Sequence, residues 1–227
     1  VVCDHFGANE KWRNLSKHPV FEIITPDHVF EWLEFNKQHI DIVYHLGGTA
    51  STTEKNIDLI LKSNFALSLK LWRWCNVRGI RLVYASSYST YGDGNQGCDD
   101  NIEPAYMKSL TPMNGYGWSK HLFDMHVAGC IARKEVGLPQ WAGLKMFNAY
   151  GPNEYHKADQ KSVISNMALH AVQGGVVRLF RSYNPNYADG GQKRDVIYIK
   201  DVVKVLLWFL DNPKISGLFN LGTGKAS

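Results

Sequence analysis

Runs of apolar residues alternate with amphipathic stretches along most of the 227-residue chain. That is the pattern of strand and helix units that build a parallel sheet. Val1-Val2-Cys3-Asp4 reads as the end of a strand with an acid at its tip, and Phe21-Glu22-Ile23-Ile24 as a short strand. Thr25-Pro26-Asp27 starts a helix, with proline in the first turn, that runs through Trp32 and Phe35. Ile40 to His45 is the next strand, opening into the small-residue loop Gly47 to Glu54, and a long helix follows to about Arg78. Ile80 to Ala85 has the composition of a buried strand, and the Gly-, Asp- and Asn-rich stretch after it, to about 102, reads as an exposed loop. Beyond it the pattern predicts a helix from Asn114 to Lys134, a strand from Trp141 to Phe147 and a helix from Lys161 to Gln173. Irregular polar sequence follows around Asn184 to Gln192, and a last helix from Asp201 to Leu210 closes the chain. No internal repeat or low-complexity linker is visible.

This order predicts an α/β fold with a Rossmann-type, doubly wound parallel sheet whose first strand is missing. In a dinucleotide-binding half, an acid at a strand tip belongs to the second strand, about 20 residues after a Gly-x-Gly-x-x-Gly turn. No such turn precedes Asp4, and neither Gly47-Gly48 nor Gly190-Gly191 lies at a first strand-to-helix junction. The sequence is therefore expected to be a fragment that continues upstream of Val1 and beyond Ser227, and to be inactive in isolation.

Composition narrows the function. At 44% hydrophobic residues the chain can bury a core for one large domain, or for one domain and part of a second. The excess of 25 Lys and Arg over 21 Asp and Glu is scattered, with no basic run longer than a pair such as Lys193-Arg194. This argues against nucleic acid and suits small anionic ligands. Cys3, Cys75, Cys98 and Cys130 show neither pairing nor metal-ligand spacing, which points to a reducing, cytoplasmic setting. No apolar stretch approaches the roughly 18 residues of a membrane span, and nothing resembles a signal peptide, so a soluble protein without membrane contact is expected.

The candidate chemistry lies in Tyr116-Gly117-Trp118-Ser119-Lys120, downstream of Tyr84-Ala85-Ser86-Ser87 and upstream of Phe147-Asn148-Ala149-Tyr150-Gly151-Pro152. Four residues apart on a helix, Tyr116 and Lys120 share a face, where an ammonium can favour a phenolate. With 11 tyrosines and 17 lysines, chance alone gives on the order of one such pair. Context decides the case: the pair opens a helix and follows a Ser-Ser turn leaving a buried strand. Ser87 would bind and orient a substrate oxygen toward Tyr116. Together the three segments read as a nicotinamide-dependent enzyme. His121 and His126 lie five apart and on different sides of their helix, so no metal site is expected.

These segments resemble the extended short-chain dehydrogenase/reductases and, among them, the bacterial ADP-L-glycero-D-manno-heptose 6-epimerases. The likeness runs nearly end to end. Its closest parts are Lys11-Trp12-Arg13-Asn14-Leu15, Ala50-Ser51-Thr52-Thr53-Glu54, Tyr84 to Ser87, Asn114 to Lys120 and Asn148 to Lys157. The resemblance implies isomerisation of an ADP-heptose through a transient ketone at carbon 6, for the heptose of the lipopolysaccharide inner core. Tyr116 and Lys157 would be the two proton-transfer groups, with Ser87 and Lys120 in support. It further implies NADP as cofactor, with NAD still possible, held by Asp4, His5, Lys11, Gly47, Asn64, Tyr116 and Lys120. Thr52, Thr53, Ser87, Asn148 and Arg194 would bind substrate. Residues 1–150 would carry the cofactor, and 151–227 would mix substrate-domain and returning elements. A homo-oligomer, pentameric in the family, is implied as well. Two other readings stay open: another nucleotide-sugar epimerase or reductase, and a non-catalytic nucleotide-binding relic. A dehydratase fits less well, because Ser87-Tyr88-Ser89-Thr90 lacks the acid pair expected after the Ser or Thr.

Overall fold

The computed structural model describes residues 1–226 except 178, 184, 186 and 187, with the backbone alone at 159 and 169. Asn184, the start of the irregular stretch, thus lies outside the described residues. The strands are β1 (Val2–Cys3), β2 (Ile23–Ile24), β3 (Ile42–His45), β4 (Arg81–Ser87), β5 (Trp141–Met146), β6 (Asn148–Tyr150), β7 (Val196–Tyr198) and β8 (Gly217–Leu221). The helices are α1 (Val29–Asn36), α2 (Ile57–Ile60), α3 (Leu67–Arg78), α4 (Pro104–Ser109), α5 (Gly115–Ala132), α6 (Val163–Val172) and α7 (Ile199–Asp211). They are distributed over two compact units: Val1–Pro26 with Phe147–Val203 and Gly222–Ser227, and Asp27–Met146 with Lys204–Leu221.

The larger unit is built on a parallel sheet in the order β3-β4-β5-β8. Its middle strands are apolar on both faces, as parallel strands covered by helices must be. Leu82, Val83 and Tyr84 of β4, and Ala142 and Leu144 of β5, are all buried. Trp72 and Cys75 from α3 and Phe123, Val127 and Cys130 from α5 close over Leu82, Tyr84 and Trp141. Trp72 meets Phe123 and Trp141 edge-on, with ring centroids 6.2 and 6.1 Å away. Local sequence sets the ends of these helices. Asn114 caps α5 by accepting from the Gly117 N–H at 2.8 Å, and Gly79 ends α3 in the left-handed conformation.

The smaller unit pairs β1 with β2 and β6 with β7, both in parallel. Among the described residues, Ile197 and Val202 are its buried apolar ones, and Tyr150 packs on Tyr198 with ring centroids 5.6 Å apart.

The structure departs from the sequence expectations in several places, among them the unpredicted short strand β7. The strand expected over Trp141–Phe147 stops at Met146, and the chain crosses at Phe147 into the other unit to form β6. A strand that the sequence pattern does not predict, Gly217–Leu221, follows the last expected helix and pairs with β5 along its whole length. Pro104 starts a short helix inside the stretch expected to be loop. The long helix before Arg78 contains a π-helical turn, Leu61–Ala66, between α2 and α3. That wider turn carries Asn64, which is fully buried.

Candidate active site

The β4 strand ends in Ser86 and Ser87, and the chain then tightens into a 3-10 turn, Tyr88–Tyr91. Ser87 caps this turn by accepting from the Ser89 N–H at 3.1 Å. The first turn of α5 lies against it, and Gly117 makes that approach possible: a Cβ there would sit 2.6 Å from the Ser89 carbonyl oxygen. Tyr116 is thereby brought beside Ser87, whose hydroxyl favours the ionised phenol. One turn further along α5, Lys120 Nζ donates to the Ala85 carbonyl at 2.8 Å. Lys120 is buried, as are Ser86 and Ser87.

Burial governs the protonation of these groups. It raises the Tyr116 phenol above its ordinary value; the Ser87 hydroxyl opposes this, and Tyr88 adds to it. Burial also lowers Lys120 to about 8, against the pull of the Asp124 carboxylate. The Lys120 ammonium is turned to a backbone carbonyl, which leaves two of its three N–H donors without a hydrogen bond among the described residues.

Asn64 is engaged on both amide atoms. Its Oδ1 accepts from the Thr49 N–H at 2.8 Å, and its Nδ2 donates to the Thr49 carbonyl at 2.9 Å and to Ser119 Oγ at 3.0 Å. It holds the loop after β3 against α5. Gly48, at φ +142°, fits between them because a Cβ would fall 2.5 Å from Asn64 Oδ1. Gly47 is exposed with open space around it, and Thr52 and Thr53 are exposed in the same loop. Beneath the loop, His45 Nε2 meets Ser68 Oγ at 2.7 Å, and burial with the nearby Lys120 ammonium lowers this imidazole to about 3.

The smaller unit carries the remaining sequence-predicted residues. Asp4 and Lys11 form an ion pair of 2.6 Å, and Lys11 Nζ also donates to the His5 carbonyl at 3.1 Å. Lys157 stands on a 3-10 segment, Tyr155–Gln160, with its side chain 45% exposed and Nζ 3.8 Å from Glu154 Oε2. Glu154 anchors this turn. It accepts from the Gly151 and Ser162 N–H groups at 3.1 and 2.7 Å and from the Ser162 and Ser165 hydroxyls at 2.8 and 2.7 Å. Burial alone would raise its carboxyl, but the hydrogen bonds from Ser165, Ser162 and Gly151 outweigh it and hold the group below the usual carboxylate range. Asn14 ties the Lys11–Leu15 segment to the same turn. It accepts from Tyr155 Oη at 2.6 Å, and its Nδ2 lies 3.5 Å from both the Asn153 carbonyl and His156 Nδ1. Two segments singled out by resemblance alone are thus joined. Asn148 Nδ2 donates to the Asp195 carbonyl at 2.9 Å, and Arg194 is exposed just ahead of β7.

Sequence reasoning did not single out Asp124, Lys145 or Glu154 as parts of the site's framework. Asp124 sits in an amphipathic stretch, where a charged residue reads as solvated, and Glu154 sits in a Gly-Pro turn, whereas Lys145 interrupts the apolar run Trp141–Met146, a signal that could have marked it as buried. No cluster of His, Cys, Asp and Glu among the described residues could hold a metal ion, and no described helix is long and apolar enough to cross a membrane.

Comparison with known proteins identifies the family. An ADP-L-glycero-D-manno-heptose-6-epimerase of Nitratidesulfovibrio vulgaris is 44% identical over 228 residues, covering 100% of this chain and 68% of that protein. One from Fusobacterium nucleatum is 39% identical over 229 residues, with the same coverage. The crystal structure of the Helicobacter pylori ADP-L-glycero-D-manno-heptose-6-epimerase superposes with a TM-score of 0.72 at 27% identity, covering 95% of this chain and 64% of that one. The chain thus spans about two thirds of the length of the relatives it matches. Residues 2–222 match the NAD dependent epimerase/dehydratase family, and the chain belongs to that family.

Proposed function

We propose that the protein interconverts the two carbon-6 epimers of ADP-glycero-D-manno-heptose with a nicotinamide dinucleotide, as part of heptose supply for lipopolysaccharide. The observation that carries this reading is the first turn of α5 held against the turn after β4, which sets Tyr116 beside buried Ser87 with buried Lys120, bound to the Ala85 carbonyl, one helical turn away. The names of its relatives support the substrate, and the family description supports the nicotinamide.

The residues fit such a cofactor. Lys120 keeps two ammonium N–H donors for ribose hydroxyls, and Asp4 presents a carboxylate of the kind that binds the adenosine ribose. Lys11 neutralises that carboxylate at 2.6 Å, which lets a 2'-phosphate approach and favours NADP over NAD. A bound nicotinamide supplies reversible oxidation at the carbinol carbon. Ser87 hydrogen-bonds the carbon-6 oxygen and aims it at Tyr116, which takes the hydroxyl proton as a ketone forms. Lys157 exchanges the proton on the oxygen for the opposite face, so each epimer has its own donor. Arg194 pairs with the diphosphate, and Thr52, Thr53 and Asn148 contact the sugar. Residues 1–150 carry the cofactor and 151–227 contribute to the substrate side, in a cytoplasmic homo-oligomer.

The test is turnover of ADP-D-glycero-D-manno-heptose by the protein in the longest form its gene encodes, beside UDP-glucose and UDP-N-acetylglucosamine. Formation of the L-glycero epimer with the ADP-sugar alone supports the proposal. Activity on a UDP-sugar instead assigns another nucleotide-sugar epimerase, and none on any of the three leaves a binding relic.

A further inference from the structure

Below the Ser87–Tyr116 contact lies a carboxylate that the proposed chemistry does not use. Asp124, four residues after Lys120 on α5, is fully buried. Its Oδ2 accepts from Ser86 Oγ at 2.6 Å and its Oδ1 from Tyr84 Oη at 3.1 Å. Tyr84 and Ser86 flank Ala85, whose carbonyl receives Lys120. Three consecutive residues of β4 therefore grip one turn of α5, and the next residue of the strand is Ser87. From β5, Lys145 is equally buried, with its Nζ 4.0 Å from the Tyr91 ring centroid and no hydrogen bond among the described residues.

We propose that Asp124 is a positioning residue for the Tyr116–Lys120 pair, fixing α5 to β4 and balancing the buried Lys120 and Lys145 ammonium groups so that Lys120 keeps its proton. A buried ammonium without a compensating charge is costly and discharges. The titratable groups around this cluster are His45 from β3, Tyr84 from β4, Lys145 from β5, and Lys120 and His121 on α5. Cys98 and Asp100 also act on Lys145. Among the described residues, Asp124 is the one carboxylate that acts on both lysines. Burial raises its own carboxyl above the usual carboxylate range, and Lys145, Ser86, Tyr84 and Lys120 oppose this only in part. Burial takes Lys120 to about 8 with Asp124 in place, so removal of this charge leaves it less protonated at neutral pH.

This inference rests on the proposed catalysis only in its kinetic consequence, so its test begins with a readout that needs no turnover. Asp124→Asn keeps the shape and a hydrogen-bonding amide but removes the charge. Titrating the Lys120 Cε resonance in 13C-lysine-labelled protein, assigned by its loss in Lys120→Met, gives the protonation directly. The expected result is a midpoint about one pH unit lower than in the unaltered protein, with the alkaline limb of kcat moved down by the same amount and KM little changed. Asp124→Glu restores part of both. An unmoved Lys120 titration in a folded Asp124→Asn protein overturns the proposal and leaves Asp124 a packing residue. A moved titration together with full activity of Tyr116→Phe keeps the charge balance and refutes the catalytic reading instead.

Discussion

Tyr116 and Lys120 stand on an 18-residue helix seated against β4, with Ser87, Lys120 and Asp124 all buried. Lys157 stands on a six-residue 3-10 segment, its side chain 45% exposed, and the turn before it is held by one carboxylate. The first arrangement desolvates its charges and sets their protonation through burial. The second leaves the lysine solvated and fixes only the backbone that carries it. Two groups proposed for the same kind of proton transfer are thus supported by different physics, and each should fail in its own way.

The largest contrast is in stability. Trp72→Ala empties the core beneath α5 and should cost about 3–5 kcal/mol in denaturant unfolding, whereas Glu154→Ala should cost about 1–3 kcal/mol, confined to the turn. Hydrogen exchange at the Gly151 and Ser162 amides, faster by roughly tenfold or more in Glu154→Ala with the α5 amides unchanged, would sharpen the comparison. Equal acceleration in both regions would break it.

A smaller effect comes with pH. Unfolded histidine takes up its proton near 6.5, while buried His45 resists it down to about 3. Its neutral form therefore costs nothing above about pH 6.5. Stability falls below that pH, by about 1.4 kcal/mol per pH unit until the folded value is reached. His45→Gln should flatten the slope of melting temperature between pH 6.5 and 5. Smallest is Asn114→Ala, which removes the cap of α5 for about 1 kcal/mol. It should lower kcat through Tyr116 while the Lys157 turn keeps its exchange pattern.

Much of the larger unit was legible in the sequence because its strands are continuous apolar runs and its main helix begins at a capping residue. Asn114, Tyr116 and Lys120 could be placed on one helix from spacing alone. Gly217–Leu221 was not read as a strand, since five residues between turns give too short a pattern, and its strand character comes from pairing with β5. The π turn around Asn64 escaped because an i to i+5 closure leaves almost the same periodicity as a helix. Lys157 gained meaning only through resemblance to a family. Nothing in its own surroundings in the sequence distinguishes it from a solvated lysine, and Glu154, which holds its turn, is recognisable only once its four hydrogen bonds are seen.

The central claim is that Tyr116 and Lys157 each transfer a proton for one face of the same carbon. The direct measurement is the rate of epimer interconversion by the protein in the longest form its gene encodes, compared among the unaltered enzyme, Tyr116→Phe and Lys157→Met, with bound nicotinamide quantified in each. The account predicts losses of about 10²–10⁴-fold in both variants with cofactor content unchanged. Epimerisation by Lys157→Met at the unaltered rate would contradict it and reduce Lys157 to a loop residue.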